Sequence, residues 1–367
     1  MTAPPRLSPF DTVLHALMQP LVAVPPQTVP LAAALGRISA GAERAGQAVP
    51  DGPVARLDGW ACASADLIGA SVMAPVPLVM SAPWVEVGQP LPPGTDAVLA
   101  PDLVQRQGPM CLALAEALPG EAALRPGDWL GAGDPVVPGG QRIGHADLLL
   151  AEAAGLTAIA CRIPRVRLVD TGAIGPTSRL IGAWLEAWGA QVERVAVDGR
   201  PLTEAMTGGR ADDLVVTIGG TGGGAQDKTA SAIAMAGRLA VHGLALALAP
   251  TVAIGWLEAV PVVALPGAPE PAMVAALALL HPVVRRLAGA SPALPLRLPL
   301  LRKIASSVGQ AELVLLERQA DGWMPLAVGQ ITPGHVRRAD GWVVVPPLDE
   351  GWSVGALLDG WLMERPL

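Results

Sequence analysis

Short apolar runs and amphipathic segments alternate through the middle of the chain. Strands are predicted over residues 165–170 and 192–197, with a helix over 178–188 between them. A third apolar, β-branched run at 214–218 ends abruptly in glycines, and an apolar-rich segment at 229–239 follows it as a predicted helix. Strands that alternate with helices in this order predict an open parallel sheet.

Three further helices are predicted before this pattern begins. Residues 8–18 place apolar side chains on one face, with Ser8 as the cap and Pro9 in the first turn. A short second helix is predicted from Leu31 to Ile38, and a third from His145 to Ala154, which Gly155 ends.

Two other regions carry a β pattern. Residues 48–120 are rich in Pro and Gly and contain short apolar runs, at 76–80 and 97–99 for example. From Pro295 onward, short strands such as 312–316 alternate with glycine turns. We therefore expect two small β units, one on each side of the α/β pattern.

The glycine loop after residue 218 is the strongest chemical signal in the chain. It reads Gly-Gly-Thr-Gly-Gly-Gly from Gly219 to Gly224, with Asp227 just beyond it. A strand, a glycine loop and a helix form an anion site, because missing Cβ atoms let the backbone approach and free N–H groups point at the ligand. A carboxylate there favours a metal-bridged or nucleotide-like ligand. The alternative is a turn without a ligand, with Asp227 as a helix cap.

The loops at Asp170, Gly219 and Pro266 each follow a predicted strand. Ligands of open α/β sheets bind beyond the carboxyl ends of the strands. The pattern alone therefore predicts that these three loops converge on one site.

Composition restricts the classes of protein that the chain can belong to. Hydrophobic residues make up 51% and charged residues 16%, as in a globular protein, and the apolar runs are too broken for a membrane span. A net charge of −7 argues against nucleic acid as a partner, and no secretory signal is expected at residues 1–9. Three widely spaced cysteines fit reduced thiols in the cytoplasm. The histidines are scattered, so we expect them to be structural or surface groups: His15, His145, His242, His281 and His335.

Three segments resemble motifs of one known family. Residues 219–227 are similar to its Gly-Gly-Thr-Gly-x4-Asp motif, and 265–269 resemble its Leu-Pro-Gly-Asn-Pro loop with Ala for Asn. Residues 49–61 resemble a divergent form of the family's motif Val-Pro-x-Phe-Asp-Asn-Ser-Ala-Met-Asp-Gly-Tyr-Ala. Their order and spacing resemble those of the molybdopterin molybdenumtransferases, the family of MoeA and the gephyrin E domain.

The resemblance implies a multi-domain α/β plus β fold in four parts. Residues 1–47 and 121–162 would form a helical extended region, and 48–120 an inserted β domain. Residues 163–291 would form the α/β molybdopterin-binding domain with its open parallel sheet, and 292–367 a small C-terminal β domain.

The resemblance also implies site residues and ligands. Its catalytic candidates are the acids Asp58, Asp128, Asp213 and Asp227. Its candidates for ligand binding are Thr171, Gly172, Gly219, Gly220, Thr221, Gly222, Gly224, Pro266, Gly267 and Pro269. Molybdopterin or its adenylylated form would be the ligand, with molybdate as co-substrate, Mg²⁺ as an accessory ion and metal ligands unknown. A homodimer is implied, with a molybdoenzyme or a molybdopterin-adenylylating protein as a further partner.

Two departures from the family leave the function open. Residues 170–174 read Asp-Thr-Gly-Ala-Ile where the family has Ser-Thr-Gly-Asp-Glu, and 248–252 read Leu-Ala-Pro-Thr-Val where it has Lys-Pro-Gly-Lys-Pro. The chain has only two lysines and many arginines, but no arginine replaces these lost lysines. The expected function is molybdate insertion into molybdopterin. The alternatives are a non-catalytic carrier of the pterin and, more weakly, a hydrolase of a nucleotide-like substrate.

Overall fold

A computed structural model describes residues 7–78, 83–108, 110–208 and 212–364. The first described segment contributes its first strand and helix to the α/β domain and its later elements to the extended region. Its elements are β1 (Ser8–Pro9), α1 (Phe10–Met18), β2 (Gln27–Pro30), α2 (Leu31–Ala34) and β3 (Ile38–Ser39). Helix α1 begins two residues after the start of the predicted range, and Ser8 does not cap it because Ser8 pairs with Leu244 in a short parallel bridge.

The inserted region is β structure, as its composition predicts. Its strands are β4 (Val54–Ala55), β5 (Gly59–Cys62), β6 (Ser71–Pro77), β7 (Trp84–Val85), β8 (Ala97–Leu99), β9 (Val104–Gln107) and β10 (Met110–Ala115). Strands β5 to β10 form two three-stranded sheets, in the orders β7-β5-β8 and β6-β10-β9, and β4 belongs to neither of them. The predicted strand at 76–80 falls partly in β6, and residues 79–80 lie outside the described part of the chain.

The chain then returns to the extended region. Its elements are β11 (Ala123–Leu124), α3 (His145–Ala153) and β12 (Ala158–Arg162). Strand β12 lies between β2 and β3 in an antiparallel sheet, and Ile143, Ile159 and Cys161 form its core. This region is therefore less helical than expected. Helix α1 instead buries Phe10 and Leu17 in the core of the α/β domain.

The α/β domain contains one six-stranded sheet in the order β14-β13-β15-β19-β18-β16. Its elements are β13 (Arg165–Asp170), α4 (Pro176–Ala187), β14 (Gln191–Ala196), α5 (Leu202–Thr207), β15 (Leu214–Ile218), α6 (Thr229–Ala236), β16 (Arg238–His242), β17 (Leu244–Ala245), β18 (Ala253–Leu257), β19 (Val260–Leu265), α7 (Pro269–Ala275) and α8 (His281–Leu287). Apolar side chains on both faces of the sheet are buried, which explains the uninterrupted apolar runs.

The sheet is parallel only in part, which corrects the prediction of a parallel sheet. Strands β14, β13, β15 and β19 run parallel, whereas β18 and β16 run antiparallel to their neighbours. A short turn at Glu258 joins β18 to β19, and a connection this short makes an antiparallel hairpin rather than a crossover. The order of strands reverses at β13, which has β14 on one side and β15 on the other. The carboxyl ends of β13 and β15 therefore flank the point where ligands of such sheets bind.

The C-terminal region is a small β domain. Its elements are β20 (Leu296–Pro299), β21 (Ile304–Ala305), β22 (Glu312–Gln319), β23 (Gly322–Ala327), α9 (Pro333–Arg338), β24 (Gly341–Val345), β25 (Gly351–Trp352) and β26 (Leu357–Leu362). A five-stranded sheet in the order β20-β26-β24-β22-β23 encloses Trp323, which is fully buried.

A polar cluster joins the C-terminal and α/β domains. The Glu364 carboxylate accepts a hydrogen bond of 2.6 Å from Arg285, and it lies 3.5 Å from both His281 and Arg142. Burial alone would raise the pKa of Glu364, but the hydrogen bond and charge of His281, with the charges of Arg285 and Arg142, outweigh it and hold the pKa below its ordinary value. Within the residues that the structure describes, every helix is too short or too polar to span a bilayer.

Candidate functional site

The glycine loop turns sharply at the end of β15. Gly219 and Gly220 have φ angles of 96° and 65°, which L side chains rarely adopt. A Cβ added to Gly219 would lie 2.6 Å from Oγ1 of Thr171, so a side chain at this position would also collide with the neighbouring loop. The backbone N–H of Gly219 donates to the carbonyl of Leu265 at 2.9 Å, and the Thr229 hydroxyl donates to the carbonyl of Gly219 at 2.8 Å. The turn is therefore held from both the sheet and α6.

The centre of the loop presents backbone donors. Among the described residues, none accepts a hydrogen bond from the N–H groups of Gly220, Thr221, Gly222 or Gly223. Thr221 is buried, whereas Gly223 is exposed. Consecutive unpaired backbone N–H groups in a glycine-rich turn form a concavity that can bind an anion.

The Asp170 and Pro266 loops lie against the glycine loop, as the strand pattern predicts. The Thr171 hydroxyl donates to the carbonyl of Ile218 at 3.0 Å. A Cβ added to Gly267 would lie 3.3 Å from Cα of Gly219, which brings the two backbones close together. The Thr177 hydroxyl donates to the carbonyl of Gly267 at 3.0 Å and connects this loop to α4. Gly172 is exposed beside these loops, Pro266 is buried, and Pro269 begins α7.

Asp227 folds back over the loop. Its Oδ2 accepts a hydrogen bond of 2.7 Å from the N–H of Gly224. The residue that precedes α6 is Lys228, and no side chain caps this helix. The alternative interpretation of Asp227 as a helix cap is therefore not what the structure shows. A Cβ added to Gly222 would lie 2.7 Å from the Asp227 carboxylate, so any side chain at Gly222 would displace this acid.

Asp170 has a structural role at the end of β13. It is buried, and Ser178 Oγ donates to its Oδ2 at 2.5 Å. Burial raises the pKa of Asp170 above its ordinary value, although the hydrogen bonds from Ser178 and Gly175 act in the opposite direction. The carboxylate therefore connects β13 to α4, while Ala173 and Ile174 occupy the exposed part of this loop.

Asp58, Asp128 and Asp213 lie elsewhere in this chain. Asp58 is exposed in the inserted domain and accepts from the N–H of Val87 at 2.7 Å, and exposed Asp128 accepts from the N–H of Arg125 at 2.7 Å. The Asp128 contact lies within one turn, which is ordinary turn chemistry, whereas the Asp58 contact joins two segments that are distant in the chain.

Asp213 precedes β15 and therefore lies at the opposite end of that strand from Gly219. A strand advances about 3.3 Å per residue, so the run from Asp213 through β15 to Gly219 separates the two by roughly 20 Å. Its Oδ2 accepts from the N–H of Arg165 at 2.8 Å, and burial raises its pKa. Asp213 therefore lies outside the glycine-loop site.

Two residues that the sequence analysis did not assign lie against the loop. His242 Nε2 lies 2.9 Å from the carbonyl oxygen of Thr221, and the Thr221 and Thr251 hydroxyls are 3.2 Å apart. His242 ends β16, an antiparallel edge strand that the parallel prediction did not include. Thr251 lies in the 248–252 segment, which departs from the family's lysine motif. The motif therefore gave no sign of its contact with Thr221, which the folded turn creates.

Acidic and sulfur ligands are sparse around the loop. Over the described ranges, no group of three or more His, Cys, Asp or Glu side chains could hold a metal ion. The site thus offers backbone donors, hydroxyls and the carboxylate of Asp227.

Two known protein families match separate segments of this chain. Residues 9–155 match the family described as "MoeA N-terminal region (domain I and II)". Residues 171–286, which contain the glycine loop, match the family described as "Probable molybdopterin binding domain".

Individual relatives and solved structures match longer stretches of this chain than either family does. The chain is 27% identical over 309 residues to molybdopterin molybdenumtransferase 2 of Mycobacterium tuberculosis, across 72% of this chain and 76% of the relative. Two crystal structures of a molybdopterin biosynthesis MoeA protein from Pyrococcus horikoshii have TM-scores of 0.69 and 0.72, at 24% and 18% identity. They cover 99% and 98% of this chain and 100% of theirs, so the fold is shared over the whole length.

Proposed function

Because the chain belongs to the MoeA family, we propose that it is a molybdopterin molybdenumtransferase of molybdenum cofactor biosynthesis. The observation that carries this proposal is the glycine loop at the reversal point of the sheet, with its unpaired N–H groups from Gly220 to Gly223. The loop lies within the segment that matches the molybdopterin-binding family.

In this proposal the terminal phosphate of molybdopterin accepts hydrogen bonds from the loop. A single helix N-terminus stabilises an anion by only about 0.3–1 kcal/mol, so several aligned donors are needed for useful affinity. The neighbouring loops at Thr171–Gly172 and Pro266–Gly267 border the same space. Their small residues leave room for the organic part of the ligand.

The adenylylated form of molybdopterin, molybdate and Mg²⁺ are finer parts of the proposal. Mg²⁺ is commonly held by one or two carboxylates together with substrate phosphates. Asp227 is the carboxylate on the loop that could share the ion with a bound phosphate, and the described residues offer no three-ligand cage. The ion, when bound, would neutralise phosphate charge, whereas the protein's own groups bind and orient the pterin.

We favour the transferase over the non-catalytic carrier. The relative from Mycobacterium tuberculosis that matches 72% of this chain is named as a molybdopterin molybdenumtransferase, which supports this choice. The loss of two lysines at 248–252 is expected to weaken attraction for molybdate. It does not remove the backbone donors that bind the pterin.

Assembly and location are further parts of the proposal. We place the protein in the cytoplasm as a two-fold homodimer, the commonest closed symmetry. Exposed Asp58 would then face the glycine loop of the second copy, which gives this distant acid a role in the site. A molybdoenzyme or a molybdopterin-adenylylating protein would be the further partner.

The proposal is tested by the retention of molybdopterin through gel filtration, measured as fluorescence of the oxidised pterin. A Cβ at Gly223 meets no protein atom within 4 Å, so Gly223→Val should leave the fold intact while it blocks ligand approach. Gly46 is equally unobstructed and lies outside the α/β domain, so Gly46→Val is the matched control. We expect wild type and Gly46→Val to retain pterin and Gly223→Val to lose it. Absence of pterin from the wild type would refute the proposal.

A further inference from the structure

We propose that His242 is a positioning residue that orients the anion-binding peptide of the glycine loop through the Thr221 carbonyl. This inference rests on the proposed function, because the anion in question is the phosphate of the pterin ligand. His242 does not belong to the motifs that the family resemblance assigns, and its contact is made by an edge strand of the sheet.

The contact defines which nitrogen of the imidazole carries a hydrogen. Nε2 lies 2.9 Å from the Thr221 carbonyl oxygen. A carbonyl oxygen only accepts hydrogen bonds, so Nε2 must donate. The tautomer with its hydrogen on Nε2 is therefore the one that supports the Thr221 carbonyl.

The peptide that joins Thr221 to Gly222 transmits this contact. A trans peptide is planar, with its C=O and N–H directed to opposite sides. When the Thr221 carbonyl is held toward His242, the N–H of Gly222 is directed away from β16. No described residue accepts from that N–H. A hydrogen bond to the carbonyl also polarises the peptide and strengthens its N–H as a donor.

The Thr221 peptide needs such support because the glycines on either side do not restrict its backbone conformation. Thr221 is flanked by Gly220 and Gly222, which have large backbone freedom. Thr221 is 2% exposed, and its hydroxyl lies 3.2 Å from that of Thr251. Thr221 is the one residue of 219–224 that has a side chain. His242 therefore holds it by its carbonyl, and Thr251 holds it by its hydroxyl.

The test measures sulfate binding by calorimetry at pH 8. His242→Ala should bind sulfate roughly three- to tenfold more weakly than the wild type, the loss expected for one hydrogen bond. His242→Gln places an amide N–H near the position of Nε2, so it should recover most of the affinity, which a merely space-filling role of the ring would not predict. His145→Ala, exposed in the extended region, is the matched control.

Molybdopterin retention by the same variants separates this inference from the proposed function. Equal sulfate and pterin affinities in wild type and His242→Ala would overturn the positioning role and leave the function standing. Sulfate binding that depends on His242, without pterin binding, would support the positioning role and defeat the function. No sulfate binding by the wild type would overturn the inference. Circular dichroism and thermal melting confirm that each variant is folded.

Discussion

A positive charge at Pro250 should restore part of the attraction for molybdate that the lost lysines supply in the family. Pro250 is exposed, and its carbonyl accepts from the N–H of Leu244 at 3.1 Å. Pro250→Lys keeps that carbonyl and exposes its ammonium to solvent. Thr251 is a poorer position, because replacing it removes the hydroxyl contact with Thr221.

The size of the effect follows from the charges. A unit charge about 6 Å from a dianion in bulk water is attracted by about 1.4 kcal/mol. That energy is about tenfold in an equilibrium constant. Salt should reduce the effect, because the Debye length shrinks to about 3 Å at 1 M ionic strength.

The assay is the molybdate concentration that gives half-maximal cofactor formation, measured at low and high salt. Pro250→Gln has a similar length without charge and is the matched control, while Pro250→Glu reverses the charge. We expect a decrease of up to about tenfold for Lys, a comparable increase for Glu and little change for Gln. Identical values for all three variants would refute the reasoning that charge at this turn governs molybdate affinity.

Three further predictions concern the fold and the assembly. Gly219→Ala should lower the free energy of unfolding by about 1–3 kcal/mol in urea denaturation, because it puts a side chain at φ 96°, whereas Gly223→Ala should leave it unchanged; equal stabilities would contradict this. Glu364→Gln should destabilise the protein at pH 7 by roughly 1–3 kcal/mol. Because the folded pKa of Glu364 is lowered, its contribution is present above the ordinary pKa and lost as pH falls through the folded value, so a pH-independent difference would be the opposing result. Light scattering should give a dimer, and Asp58→Asn should then reduce turnover; a monomer at micromolar concentration would remove Asp58 from the site.

The sequence predicts the strand-loop-helix units well because their signals are local. The apolar run at 214–218 and the glycines after it appear as β15 and its loop at the expected residues. The antiparallel strands β18 and β16 were not predicted, because β-branched apolar runs do not encode direction. The predicted helix at 229–239 ends early, at Ala236, because Gly237 follows it against the backbone of β18 and Arg238 begins the edge strand.

The candidate site is predicted only where it follows from the chain order of strands. Convergence of the Thr171, Gly219 and Gly267 loops follows from parallel strands ending at one edge. His242 and Thr251 approach Thr221 through a fold of the chain that no spacing rule describes.

Molybdate-dependent cofactor formation is the measurement that tests the central claim most directly. Purified wild-type protein would receive molybdopterin in its adenylylated form, and its product would be detected by activation of a cofactor-free molybdoenzyme. A transferase should activate the molybdoenzyme in proportion to added molybdate, and Gly223→Val should not, while Gly46→Val should match the wild type. Retention of pterin by the wild type, with no molybdate-dependent activation at any concentration, would contradict the claim and identify the protein as a carrier.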